Sequence, residues 1–240
     1  MNEKERGKLH PISTIVRRIS EIFTEMGFEI AEGPLVEDQW HNFDALNVPE
    51  NHPARDMQDT FFVKGQEGKV MRTHTSNVQI RFMEEFVKAG KKPPFKIIAP
   101  GKVFRNEATD ATHEAQFHQV EGLVVGKGVS LAHLKGTLEE FLSRFYGFEV
   151  ESRFRPGFFP FVEPGVEVDL KFRDRWLEML GAGMVHPNVL RNVGLDPEEY
   201  SGFAFGVGID RLTMMKFNIP DVRGFYTGDL RLHNALKEEK

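Results

Sequence analysis

The sequence predicts an α+β fold, a mainly antiparallel sheet flanked by helices. Strand-like runs are many and short, helical stripes are few, and nothing repeats the strand–helix alternation that a parallel sheet requires. The 240 residues suffice for one large domain or two small ones. No internal repeat, low-complexity linker or composition break divides them, so residues 1–240 read as one domain, with frayed charged ends at Met1 to Lys8 and Lys237 to Lys240.

The first element is a helix. Ile12, Ile15, Val16, Ile19, Ile22, Phe23 and Met26 recur at three- and four-residue steps, Pro11 suits the first turn, and Gly27 suits the stop. A second begins after Ser130, with Leu131, Leu134, Leu138, Phe141, Leu142 and Phe145 facing inward and Gly147 ending it. The runs FEIAEG, FKIIAP, KVFRNE, FHQVEGLVV, SRFRP, EVDLKF, WLEMLGAGMV and GFAFGVG read as strands.

Composition excludes several functions. With no cysteine there is no disulfide, zinc–thiolate site or cysteine nucleophile. No signal core opens the chain and no apolar run of about 18 residues spans a bilayer, so a soluble, cytoplasmic protein is expected. A net charge of -5 argues against a chain whose main task is gripping nucleic-acid phosphates, although a local basic patch fits that total. The 22 Phe against 3 Tyr and 2 Trp predict an aromatic core or pocket.

Residues two apart share a face of a strand. In VFRNEATDATHEAQFHQVEG, Arg105 and Glu107 share one face of a first arm, and Phe117, Gln119 and Glu121 one face of a second. If the arms pair, an arginine, two carboxylates, an amide and a ring converge, which suits a ligand with phosphates, a purine face and an ammonium group. A solvated hairpin with cross-strand ion pairs fits the same pattern. In MRTHTSNVQIRFM, Thr75 or Ser76 caps a helix, which leaves His74 and Gln79 to be explained. In FFPFVEPG, an extended chain puts Phe159, Phe161 and Glu163 on one face, and a buried Glu163 needs a cation such as Mg²⁺. In GFAFGVGIDRLTMM, Phe203, Phe205 and Val207 alternate with Ala204, Gly206 and Gly208. That bare second face suits a pocket floor, and Arg211 on the following helix suits an anion. The glycines lack the third member of a dinucleotide fingerprint, and His113 and His118 do not complete a zinc motif.

From about Leu9 to Leu236 these segments, in order, resemble the three signature motifs of class II aminoacyl-tRNA synthetases, and closely the bacterial phenylalanyl-type alpha catalytic module. HPISTIVRRISEIFTEMGFEIAEGPLVE is similar to motif 1, the interface helix and strand ending at Pro34, the Val103 to Gly122 stretch to motif 2, and GFAFGVGIDRLTM to motif 3. The resemblance implies that His74, Ser76, Gln79, Gln119 and Glu121 hold the amino and carboxyl ends of phenylalanine. Phe159, Phe161, Val162, Ala204 and Gly206 would enclose its ring. Arg105, Glu107, His113, Phe117 and Arg211 would hold ATP, with Arg105 on the α-phosphate and Arg211 on the γ-phosphate, both catalytic, and Glu163 would be a Mg²⁺ ligand shared with a partner subunit. Activation to phenylalanyl adenylate and transfer to tRNA follow, with a beta-type subunit or a second copy meeting the motif 1 region. The family's N-terminal coiled-coil tRNA arm and any anticodon domain are expected to be missing, which leaves tRNA charging weak. Asp210 stands where the family more often has Glu. Two other functions fit the resemblance: a stand-alone paralogue binding an amino acid or adenylate for regulation, and activation for a non-tRNA acceptor.

Overall fold

The computed structural model describes residues 9–57, 59–172 and 175–230, so both predicted frayed ends lie outside the described residues. Helix α1 (Pro11–Glu25) begins as the stripe predicts: the Ile12 N–H donates to His10 Nδ1 at 3.2 Å, Pro11 fills the first turn, and Gly27 leaves it at φ +83°. Strand β1 (Glu29–Ile30) follows. Next come β2 (Val36–Asp38), the single turn α2 (Gln39–Asn42), β3 (Lys69–Met71) and α3 (Ser76–Lys88). The long antiparallel pair β4 (Phe95–Phe104) and β5 (Gln116–Gly126) precedes α4 (Leu131–Tyr146). Then come β6 (Ser152–Phe159), β7 (Val162–Phe172), β8 (Arg175–Val185), α5 (Pro187–Asn192), β9 (Ser201–Gly208) and α6 (Ile209–Phe217).

Seven strands form one sheet in the order β1-β4-β5-β9-β8-β7-β6, and β2 pairs with β3 apart from it. Among the described residues, only the β1–β4 pairing in the large sheet is parallel. The expected α+β sheet is therefore present, with three differences in its elements. FEIAEG contributes just two paired residues. FKIIAP and the start of KVFRNE are one strand ending at Phe104, so Arg105 and Glu107 lie beyond its end. Leu131 is 39% exposed, because the first turn of α4 projects past the core that Leu134 and Leu138 reach.

The two faces of the sheet are covered differently. On one, α1, α4 and α6 lay Ile15, Ile19, Phe23, Phe141 and Leu212 over Val120, Phe203, Phe205 and Val207. Phe23 stacks on Phe141 at 4.6 Å and on Phe205 at 5.3 Å, so part of the phenylalanine excess builds a ring-on-ring core worth about 2–3 kcal/mol per buried ring. On the other, α3 and α5 cover one end, where Phe82, Phe86 and Phe95 meet at 4.9–5.8 Å. No helix among the described residues is long and apolar enough to cross a membrane.

Candidate active site

On the remainder of that second face, strand register brings several of the predicted residues together. Phe117, Gln119 and Glu121 of β5 pair with Val103, Gly101 and Ala99 of β4. Across the other edge of β5, Gln119 and Glu121 pair with Gly208 and Gly206. Gly206 and Ala204 pair in turn with Gly181 and Gly183 of β8. The floor beside Glu121 is therefore backbone. A Cβ on Gly206 would stand a tight 3.1 Å from Glu121 Cγ, and one on Gly181 would stand 2.7 Å from the ring of Phe159, which would have to move.

Phe159 and Phe161 flank the turn between β6 and β7, their ring centroids 6.0 Å apart and 28° from parallel. Val162 opposes Phe159 and is buried. Both rings are half-buried, with Phe161 and Ala204 packed on the second core. The extended geometry expected for FFPFVEPG is not found, because the chain turns at Pro160 and Phe161. Glu163 is consequently not buried beside the rings. Its side chain is 76% exposed, 3.6 Å from His186 Nε2, so the burial argument for a cation does not apply to it.

Glu121 is the buried centre of the site. Its carboxylate accepts from the Thr75 N–H at 3.0 Å, from Ser76 Oγ, and from Gln79 Nε2 at 3.5 Å. Burial raises its pKa, against these hydrogen bonds and the Arg105 charge, which pull the other way. Ser76 opens α3 without capping it, its hydroxyl being spent on Glu121. His74 Nε2 faces the Asn42 carbonyl at 3.0 Å, which only accepts, so Nε2 carries the proton and Nδ1 is a bare acceptor. Burial, with Arg105 adding to it, pushes His74 down to about 4, so the ring is neutral at pH 7. His74 Nδ1 and Gln119 Oε1 are both buried without a hydrogen-bond partner. Two such acceptors beside a buried carboxylate call for a cationic or N–H donor ligand.

The residues expected to meet phosphates fall into two groups. The Arg105 guanidinium lies 5.0 Å from the Phe117 ring centroid, its Nε donates to the Thr73 carbonyl at 3.3 Å, and Nη1 is 3.9 Å from Glu107. Arg211 and His113 line a cavity of about 540 Å³ with Thr112 and Met215, a lining that does not include Arg105, Glu107 or Phe117. His113 sits in the exposed β4–β5 loop, its backbone N–H 2.8 Å from Asp110. Hydrogen bonds from Thr112 and His113 hold the Asp110 carboxyl below its ordinary range.

Sequence reasoning missed four contributors. Arg72 is buried and donates to the carbonyls of Lys102 and Gly33 at 2.7 and 3.1 Å, tying the end of motif 1 to β4. Thr75 and Asn42 act through backbone groups, which leave no mark in side-chain chemistry. Gly181 lies in LGAGMV, whose small-residue alternation matches the signal already visible in β9. Among the described residues, the one group close enough to share a cation is Glu37, Asp38 and His41. There Glu37 is taken up by Arg81 and Asp38 by His41 at 2.6 Å.

A sheet with one stripped face, a buried carboxylate with acceptors beside it, and an arginine laid on a ring come together on one side of this chain. The family model described as tRNA synthetases class II core domain (F) matches residues 1–236, and the chain belongs to that family. Among curated proteins it is 52% identical over 232 residues to the phenylalanine–tRNA ligase alpha subunit of Xanthomonas campestris pv. campestris (strain B100), covering 95% of this chain and 68% of that one. It is 55% identical over 234 residues to the protein of that name from Aliivibrio fischeri (strain MJ11), covering 97% and 69%. For that of Xylella fastidiosa (strain 9a5c) the figures are 52% over 232 residues, 95% and 67%.

Proposed function

We propose that this chain is the catalytic unit of a cytoplasmic phenylalanine–tRNA ligase, activating phenylalanine with ATP and passing the acyl group to tRNA. The observation that carries the reading is the pairing of orphan acceptors at His74 and Gln119 with the buried Glu121, next to a glycine floor roofed by Phe159 and Phe161. An α-ammonium satisfies the first set and a benzyl ring fills the second. The relatives, named for phenylalanine, agree with that pairing.

In the first step a phenylalanine carboxylate oxygen attacks the α-phosphorus of ATP. The new P–O bond forms as the bond to the bridging oxygen breaks, and pyrophosphate leaves. No protein nucleophile takes part. Ser76, Gln79, Gln119 and Glu121 orient the amino acid, with neutral His74 offering Nδ1 as an acceptor. Phe117 offers its ring to adenine and Arg105 neutralises charge on the α-phosphate, with Glu107 beside it. Arg211 and His113 take the outer phosphates, as their shared cavity allows. The exposed Glu163 carboxylate suits Mg²⁺ as one hard-oxygen ligand among several from substrate, water or a partner subunit, and the ion would add positive charge at the phosphates. The walls at Val162, Ala204 and Gly206 are apolar, which disfavours a tyrosine hydroxyl.

A beta-type subunit or a second copy would cover the motif 1 region. Ile30, Leu35, Val36 and Trp40, 38–50% exposed, follow α1 in the chain and favour such a partner. The test is phenylalanine-dependent ATP–pyrophosphate exchange by the purified chain, with and without a beta-type partner. Exchange is expected in at least the second case. Phenylalanine binding with no exchange in either case would instead mark a binding protein.

A further inference from the structure

We infer that Tyr226 is a positioning residue for the nucleotide half of the site, acting as a strut between the segments that carry Phe117, His113 and Arg211. The inference rests on the nucleotide-binding reading for its function and on hydrogen bonds for its geometry. Tyr226 follows the short turn Val222–Phe225 after α6. Its hydroxyl donates to Asp210 Oδ1 and lies 3.1 Å from His118 Nδ1. The other Asp210 oxygen accepts the His118 backbone N–H at 2.7 Å. Asp210 is 4% exposed and immediately precedes Arg211, while His118 immediately follows Phe117. One buried carboxylate thus fixes the start of α6 to the start of β5, with the phenol as its second donor.

The same turn holds two further segments. The Val222 N–H donates to the Ala111 carbonyl at 2.9 Å, securing the loop that carries His113. The Phe225 carbonyl accepts from His10 Nε2 at 2.9 Å, securing the start of α1. Burial, with the Asp210 charge adding to it, holds the phenol far above its ordinary pKa, so the hydroxyl remains a donor. An aspartate reaches one methylene less far than a glutamate would, and here the Tyr226 hydroxyl comes to it as a hydrogen-bond donor.

The substitution Tyr226→Phe keeps the ring and removes only the hydroxyl. Two measurements decide its effect: hydrogen exchange of the 106–114 loop and the His118 amide, and calorimetric dissociation constants for ATP with Mg²⁺ and for phenylalanine. Faster exchange in both segments is expected, with ATP affinity weakened roughly tenfold, the scale of one lost hydrogen bond to a charged group, and phenylalanine affinity within about twofold. Adding Asp210→Glu, whose extra methylene fills the vacated space, is expected to bring both readouts back toward the parent chain. Unchanged exchange in Tyr226→Phe overturns the strut, and so does an equal loss of both affinities that Asp210→Glu does not rescue. If the parent chain itself does not bind ATP, the ligase reading fails while the hydrogen exchange still decides the strut.

Discussion

The Arg105 guanidinium rests on the Phe117 ring at 5.0 Å, and the two residues come from opposite ends of the β4–β5 loop. The stacking keeps an arginine just beyond the end of β4 pointed along the sheet face, and the Thr73 carbonyl 3.3 Å from Nε fixes its rotation. If Arg105 stabilises charge at the α-phosphorus as proposed, replacing it by Ala is expected to lower the exchange rate by about 100- to 1000-fold. Phe117→Leu keeps the arginine and loses the purine platform. Its KM for ATP should rise roughly tenfold with kcat less affected, as the scale of base stacking implies.

Glu121 accepts three protein donors, and its carboxylate is the group proposed to meet the ammonium. Glu121→Gln is nearly isosteric; it removes the negative charge and also turns one acceptor oxygen into an N–H donor that faces Thr75 or Ser76. In exchange assays the KM for phenylalanine should rise by about 100-fold while the KM for ATP stays within about threefold. Equal effects on both substrates would remove Glu121 from the amino-acid site.

Gly181 passes under the Phe159 ring, where an added Cβ would stand 2.7 Å from Cζ. In Gly181→Ala the Phe159 ring must shift, and it is one of the rings proposed to enclose the substrate's own. Phenylalanine affinity is expected to fall about tenfold, an overpacking cost of roughly 1–3 kcal/mol, and ATP affinity to remain. Titration calorimetry with each ligand reads this directly. Unaltered phenylalanine binding would move the benzyl pocket away from β8.

His74 supplies a pH dependence. Its folded-state pKa of about 4 lies below the ordinary 6.5, so between those values the unfolded chain binds a proton that the folded chain does not. Its contribution to stability is complete above pH 6.5 and is lost as pH falls toward 4, at up to about 1.4 kcal/mol per pH unit. Urea unfolding at several pH values should give a steeper slope in this window for the parent chain than for His74→Gln. Parallel slopes would contradict a buried neutral imidazole.

Much of this site was legible because strand periodicity is a two-residue code. Phe117, Gln119 and Glu121 share a face, as do Ala204, Gly206 and Gly208, and register then places the two sets beside each other. The helix ends at Gly27 and Gly147 were legible for an equally local reason, the positive φ each adopts. Glu163 was misplaced because a two-residue period assumes an uninterrupted strand, and the turn at Pro160 and Phe161 breaks it. Arg72 was invisible because its partners are carbonyls of Gly33, Pro34 and Lys102, and any residue presents a carbonyl. Tyr226 was missed because it meets Asp210 and His118 across 16 and 108 positions. Chain separations of that size are set by topology and leave no spacing to read.

The glycine floor also limits how this chain can change. Room at the site is made by side chains that β8 and β9 lack, so any single substitution at Gly181 or Gly206 subtracts volume. Volume can be added only where there is something to trim, at Ala204, Val162 or the two rings. Selection acting one residue at a time therefore has many routes to a smaller substrate and few to a larger one. Those few run through the rings whose stacking shapes the pocket.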